Sequence, residues 1–429
     1  MTAAVENLLF RYCYDDRGRL LAKQVPGTRG ETQMVYDQLD RVILSQDASQ
    51  RQRHQWSFTK YDDLGRPVIT GLCTRAARQD SLQAEANRTL TQYEQRTAAS
   101  TNPQHYTLSQ AYPQLSAQGR FTQYQVLTAS YYDDYNFDND PAGQPDATYD
   151  TQYNGQFGGT VPTPDLRVTG LVTRTCVRVL EVAESATGAW LTTTSFYDAQ
   201  GRPIQVRSAN ARGGEDISTS QLDFAGKVLK SYTVHSDPRA LPAPVTIAEL
   251  FTYDHAGRLL TNAQQLANEA QPKVLATLRY NELGQLQQKQ LGLGSQNVDY
   301  QYNIRGWLTH LNDVAQRDPN DLWGMELYYN HGFTRDYHQY GGNITGQKWR
   351  SKADSVTRAY GYIYDQSSRL LQGDFVARTT TGTWTGEKQN YGLRYVSYDE
   401  NGNILTLQRR GLVAAATRST PKQYGPSTP

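Results

Sequence analysis

Four oxygen-bearing side chains alternate along the acidic stretch 133–140: Asp134, Asn136, Asp138 and Asp140. Ligands at that spacing resemble the first half of a calcium loop. The match stops at Asn139, where such a loop needs glycine, and no Glu closes it. A solvated turn or edge strand is therefore the stronger reading, with calcium as the weak alternative. The histidines are His54, His105, His235, His255, His310, His331 and His338. None forms His-Glu-x-x-His or stands beside a cysteine at metal-ligand spacing. His255 falls at a variable turn position, which predicts exposure. His331 and His338 lie near Asp336, and a polar loop explains them better than a catalytic pair. Cys13, Cys73 and Cys176 are odd in number and widely spaced. They read as small buried or half-buried residues, with one disulfide as the alternative. The chain carries no Gly-x-Ser-x-Gly elbow and no phosphate loop. No catalytic residue and no cofactor is predicted.

The residues that recur instead make turns. Tyr14-Asp15-Asp16-Arg17-Gly18-Arg19 returns as Tyr61-Asp62-Asp63-Leu64-Gly65-Arg66 and as Tyr197-Asp198-Ala199-Gln200-Gly201-Arg202. It returns again as Tyr253-Asp254-His255-Ala256-Gly257-Arg258, and as Tyr398-Asp399-Glu400-Asn401-Gly402-Asn403. Weaker copies begin at Tyr36, Leu222, Tyr280, Tyr302 and Tyr364, with Asp40 or Ser368 standing at two of the glycine positions. Asp at the first corner can accept backbone N–H bonds, and Gly at the fourth tolerates positive φ. Alternating runs such as Leu250-Phe251-Thr252-Tyr253 flank the turns and fit half-buried strands. Each copy thus predicts one β-hairpin, marginal alone and stable when neighbours stack on it.

The repeat arginines Arg19, Arg41, Arg66, Arg202, Arg258 and Arg369 could form a phosphate ladder. Their fixed place after the turn favours a structural clamp, with the guanidinium stacked on a neighbouring Tyr and bonded to a carboxylate. Trp307, Trp323, Trp349 and Trp384 cluster in the last third. They keep glycan binding alive as a minor reading, with core packing preferred.

The chain has 429 residues, 30 of them Tyr, and a formal net charge of +1. Balanced charge gives no electrostatic case for nucleic acid or a membrane surface. A mean hydropathy of −0.70 is polar for a compact globule and suits thin sheets with much solvated surface. No stretch reaches the apolar length of a membrane span, and the start has no basic-then-apolar signal peptide.

The phrase divides the chain into residues 1–72, an insertion at 73–168, a repeat region at 169–412 and a polar tail at 413–429. Within the insertion, Leu82, Ala86, Leu90 and Tyr93 recur at helical spacing, which predicts a helix over about 80–99 with Asp80 as N-cap. A Pro/Gln-rich loop follows over 102–118, then a strand over 126–132. A strand pair over 170–182 and 190–197 is joined by a turn at Thr187-Gly188.

About ten copies of Tyr-Asp-x-x-Gly-Arg resemble the RHS/YD-repeat proteins along nearly the whole chain. Tyr131-Tyr132-Asp133-Asp134-Tyr135-Asn136-Phe137-Asp138, Thr169-Gly170-Leu171-Val172-Thr173 and Tyr302-Asn303-Ile304-Arg305-Gly306-Trp307-Leu308 are similar to the Bacteroidota branch of that family. The resemblance implies an all-β ribbon of YD-repeat hairpins curling into a partial shell, with one helical insertion. It implies a non-enzymatic wall that encloses or displays a C-terminal toxin or effector polypeptide encoded beyond this chain. It also implies secretion or a cell-surface location, and an incomplete shell without core-associated segment or toxin. A glycan-binding or adhesion module on the cell surface is the alternative; a toxin enzyme or self-cleaving protease is less favoured. Asp140-Pro141-Ala142-Gly143-Gln144 echoes the family's cleavage sequence but lacks its Leu, and Asp318-Pro319-Asn320-Asp321-Leu322 lacks its Gly. Both read as turns.

Overall fold

The computed structural model describes residues 9–28, 30–98, 105–116, 119–121, 123–139, 145–157, 161–180, 189–240, 243–315, 318, 320–331, 338–378, 381–385 and 391–409. The chain divides into two compact units, Met1–Leu250 with Gln265–Ala270 and Phe251–Gln264 with Gln271–Pro429.

The first unit opens with β1 (Arg11–Tyr14), β2 (Leu20–Gln24), β3 (Thr32–Tyr36) and β4 (Val42–Gln46). A short helix α1 (Ala48–Gln52) leads to β5 (Gln55–Tyr61) and β6 (Pro67–Thr74). Helix α2 (Gln79–Ala86) begins the insertion, which ends in β7 (Gln123–Asp133) and β8 (Val168–Arg178). Then come β9 (Trp190–Tyr197), β10 (Pro203–Ala209), β11 (Glu215–Leu222), β12 (Val228–His235) and β13 (Val245–Tyr253). Each strand pairs antiparallel with the next, including β6 with β7 across the insertion.

Alternation decides which face is covered. In β5, Trp56, Phe58 and Lys60 are buried and the residues between them are half-buried. The insertion lies over that face. Leu82, Tyr106, Leu108, Tyr112, Leu115, Phe121, Tyr135 and Phe137 share one core with Trp56, Phe58, Ile69, Cys73, Ala129 and Phe196. Farther along, Tyr149 packs its ring edge on Phe196, and Tyr153 stacks on Tyr232. Phe157 closes a second cluster with Tyr232, Val234 and Ala248. Each large apolar side chain removed from water in this way contributes about 1.5–3 kcal/mol before ordering costs.

The second unit carries β14 (Leu259–Leu266), β15 (Lys273–Tyr280), β16 (Leu286–Leu291), β17 (Gln296–Tyr302), β18 (Leu308–Leu311) and β19 (Trp323–Tyr328). It continues through β20 (Gly346–Ser351), β21 (Thr357–Tyr364), β22 (Leu370–Arg378), β23 (Trp384–Thr385), β24 (Leu393–Tyr398) and β25 (Ile404–Arg409). These also pair in order and antiparallel, except that β22 takes both β23 and β24. Few of its large side chains are fully buried; Phe375 and Val396 are among them. The fold is all-β apart from short helices, as the repeats predict.

Two local expectations are corrected. The helix runs Gln79–Ala86 rather than 80–99, and Asp80 lies in its first turn, with Arg78 as N-cap. Tertiary contacts override the helical period. The Gln38 amide takes the carbonyls of Asn87 and Thr89 as the helix ends, and the Glu94 N–H pairs with the Tyr61 carbonyl. Leu90, placed on the apolar face by its spacing, is exposed. Ala99 lies outside the described residues. Cys13 is exposed, not buried; all three cysteines are free thiols. Helix α1, which the repeat pattern did not suggest, starts in a capping box between Asp47 and Gln50. The 413–429 tail, the Thr187-Gly188 turn, Asp336 and 140–144 fall outside the described residues, as does Pro319.

Candidate functional site: the inter-hairpin clamp and the insertion lock

Every copy of the phrase builds the same loop. In the first, the Asp15 N–H donates to the Arg19 carbonyl at 3.0 Å and the Gly18 N–H to the Asp15 carbonyl at 2.9 Å. Asp15 Oδ1 accepts the N–H groups of Arg17 and Arg19, and Oδ2 accepts Arg19 Nε at 2.7 Å. The same carboxylate pattern holds for Asp198 with Arg202, Asp254 with Arg258 and Asp365 with Arg369. Asp62 with Arg66 and Asp37 with Arg41 repeat it. Asp399 uses Asn403 instead, and Asn281 uses Gln285. The Arg258 N–H, followed by the Arg258 guanidinium, holds the Asp254 carboxyl below the usual range against the opposing effect of desolvation.

The fourth loop position is left-handed throughout, at φ 75° for Gly18, 81° for Gly65, 62° for Asp40 and 61° for Ser368. Glycine answers a second demand at Gly65. A Cβ there would stand 3.2 Å from Arg41 Nη1 of the preceding hairpin. The strands leaving the loop slip register by a bulge, as between Cys13 and Tyr14 and between Lys60 and Tyr61.

The clamp reaches from one hairpin to the next. Arg19 lies over the ring of Tyr36, Arg41 over Tyr61, Arg258 over Tyr280 and Arg369 over Tyr398, at 4.4–5.0 Å from the ring centroids. The tyrosine hydroxyl then donates to the residue after that arginine: Tyr36 to the Leu20 carbonyl at 2.8 Å and Tyr61 to Val42 at 2.9 Å. Tyr280 donates to Leu259 and Tyr398 to Leu370. Tyr197 donates to Val172, although Leu171 occupies the arginine position there. Arg202 Nη1 instead reaches the carbonyls of Asp223 and Phe224 in the following turn. Tyr14 is exposed. A turn that sequence reading missed, Asn210-Ala211-Arg212-Gly213-Gly214, makes the same backbone bonds with Asn210 as the corner. Its Asn-x-x-Gly spacing was the available signal.

The acidic stretch 133–140 feeds the arginines. Asp133 takes Arg66 in a two-pronged pair at 2.8 and 2.6 Å while Arg66 also lies over Tyr132. That pairing, chiefly its side-chain hydrogen bond, lowers the Asp133 pKa and raises that of Arg66. Both oxygens of Asp134 meet Arg96 at 2.7 Å, and the Asn136 carbonyl accepts from the same guanidinium. The Asp138 N–H bonds to Asp146. Asp140 is outside the described residues. Among the described residues no group of three or more acidic, His or Cys side chains could hold a metal ion.

The insertion is fastened by a buried ion pair that sequence reading did not find. Lys60 Nζ donates to Glu94 Oε1 at 2.7 Å and to the carbonyls of Leu108 and Ala111; both side chains are 0% exposed. Glu94 in turn accepts from the Thr107 hydroxyl and the Ala111 N–H. Every Nζ proton has an acceptor, so the desolvation cost is met by a complete network. Burial pushes the Lys60 pKa down against the pull of Glu94. Burial also pushes the Cys73 thiol up to about 12, an inert thiol. Farther along, the Gln205 amide grips both the N–H and the carbonyl of Asp150. At the end of helix α2, Glu85 is shared by Arg75, Arg120 and the Tyr112 hydroxyl at a cleft of about 770 Å³.

Trp307, Trp323, Trp349 and Trp384 are half-buried. Trp307 packs against Tyr329 and Trp349 stacks on Tyr360.

No family model matches the chain, and no curated protein matches it. Among solved structures it is similar to a TcdB2-TccC3 crystal structure, at 14% identity and a TM-score of 0.32 over 97% of this chain and 22% of that one. A Photorhabdus luminescens Tc holotoxin pore gives 13% identity and a TM-score of 0.29, over 94% of this chain and 20% of that chain. A porin-like protein from Bacteroides uniformis gives 14% identity and a TM-score of 0.21, over 49% and 84%. The chain thus spans about a fifth of the Tc chains. At this level the likeness carries no argument about what this chain does.

Proposed function

We propose that the chain is a non-enzymatic wall element, a piece of an RHS-type shell that encloses or displays a polypeptide joined to its C-terminal side. One observation carries this reading: the side chains best suited to chemistry are occupied in holding hairpin to hairpin. Asp15, Asp37, Asp62, Asp198, Asp254 and Asp365 are bonded to arginines, those arginines to the next turn or ring, and Asp133 and Asp134 to Arg66 and Arg96. A wall acts by steric confinement and needs no turnover. Its working surroundings would be those of a secreted or cell-surface toxin assembly, and the boundaries 1–72, 73–168 and 169–412 would be wall, lining insertion and wall.

The test joins a protease-sensitive reporter polypeptide after Pro429 and follows its digestion by trypsin. Confinement predicts slower cleavage than for the free reporter, with the delay lost once the wall is unfolded by heat. Equal cleavage rates for joined and free reporter would overturn the reading.

A further inference from the structure

Helix α1, the ends of β3 and β4 away from their phrase loop, and the start of α2 border a cleft of about 480 Å³. That volume lies within the range of small-ligand pockets. Its charged lining is mostly cationic. Arg51 and Arg78 bring guanidinium groups, and His54, held at φ 53°, adds an exposed imidazole. The one carboxylate in the lining, Asp80, meets Arg78 at 3.1 Å in a pair whose side chains are 63% and 86% exposed. So exposed a pair contributes little, and Arg78 can turn to a ligand at small cost. Arg51 is more constrained. Its Nη2 donates to the Glu31 carbonyl at 2.7 Å, and its Nε is buried without a partner. Among the described residues no carboxylate pairs with it. A guanidinium without counter-charge at the wall of a cleft is a seat for an oxyanion.

Three glutamines of the same lining supply the opposite polarity. Gln33 in β3 and Gln46 at the end of β4 are register partners. The Gln33 amide donates to Glu31 Oε1, that of Gln46 to the Gln55 carbonyl and that of Gln79 to the Met34 carbonyl. Each NH2 group is turned to a partner, which leaves the side-chain oxygens as acceptors. Among the described residues none of the three oxygens takes a bond. Gln46 is 4% exposed, which fixes the position of its acceptor. Guanidinium donors beside neutral acceptors select a ligand that joins an oxyanion to uncharged donors. An ammonium group would seek a free carboxylate, and Asp80 is paired. Hydroxyl groups match amide oxygens.

We propose that this cleft binds a carboxylated saccharide of the uronic-acid class. The carboxylate is held by Arg51 and Arg78, and the sugar hydroxyls donate to the side-chain oxygens of Gln46 and Gln79. The site uses none of the clamp residues and none of the tryptophans of the last third. It goes beyond the wall reading and does not depend on it.

The experiment titrates the full chain calorimetrically with trigalacturonate, and in parallel with maltotriose and inorganic phosphate. Trigalacturonate should bind, and each of the other two at least about tenfold more weakly, since maltotriose lacks the oxyanion and phosphate the array of hydroxyls. Arg78→Glu alters an exposed side chain, so it should keep the unfolding midpoint and weaken trigalacturonate binding by about tenfold or more. Arg51→Gln should weaken it as much, and decides the matter should the first variant fail to fold. No binding of trigalacturonate would overturn the proposal. So would maltotriose or phosphate binding as tightly as trigalacturonate, or folded variants that bind it as well as the wild type.

Discussion

At the scale of single residues, each member of the phrase has a separate physical task. Asp closes the loop, Gly supplies positive φ, Arg spans to the next hairpin, and Tyr caps the carbonyl behind it. The loop roles were legible because they are local: Asp15 and Gly18 act on residues within four positions. The pairing of Arg19 with Tyr36 was legible only as a type of contact, since spacing does not say which ring a guanidinium meets. Ser368 tests the loop account. It sits at φ 61° where most copies place Gly. Ser368→Gly relieves a left-handed cost of about 1 kcal/mol, less what glycine loses in the unfolded chain. Chemical denaturation should show a stabilised protein with unchanged slope; no gain would contradict the loop strain.

At the scale of elements, the insertion depends on a side chain that looks misplaced. The alternation of β5 puts Lys60 on its buried face, beside Trp56 and Phe58. Sequence offered no reason to pair it with Glu94, 34 residues away across a helix that ends early. Such long-range polar matches are decided by tertiary packing, which is why the helix length and the path of residues 87–115 were not legible. Removing one partner of a buried pair leaves the other uncompensated. Glu94→Ala should therefore cost about 3–5 kcal/mol, and Lys60→Met with Glu94→Leu should recover most of that loss. Both are read from urea unfolding midpoints. A double variant no more stable than Glu94→Ala would contradict the ion pair as the lock.

For the molecule as a whole, repetition was the most legible property, because one phrase returning at intervals specifies hairpins that stack on neighbours. The all-β ribbon and its strand order follow from that. Stability in such an array is close to a sum of hairpin terms and nearest-neighbour terms. The neighbour term is carried by the arginine of one hairpin and the tyrosine of the next. The direct measurement is a double-mutant cycle between Arg41 and Tyr61, whose guanidinium and ring centroid lie 4.4 Å apart, using Arg41→Gln, Tyr61→Leu and the pair. The clamp predicts that the two losses fail to add, by about 0.5–1 kcal/mol of favourable coupling. Strict additivity would show that the two side chains act independently, and the repeated phrase would then be a set of turns with no clamp between them.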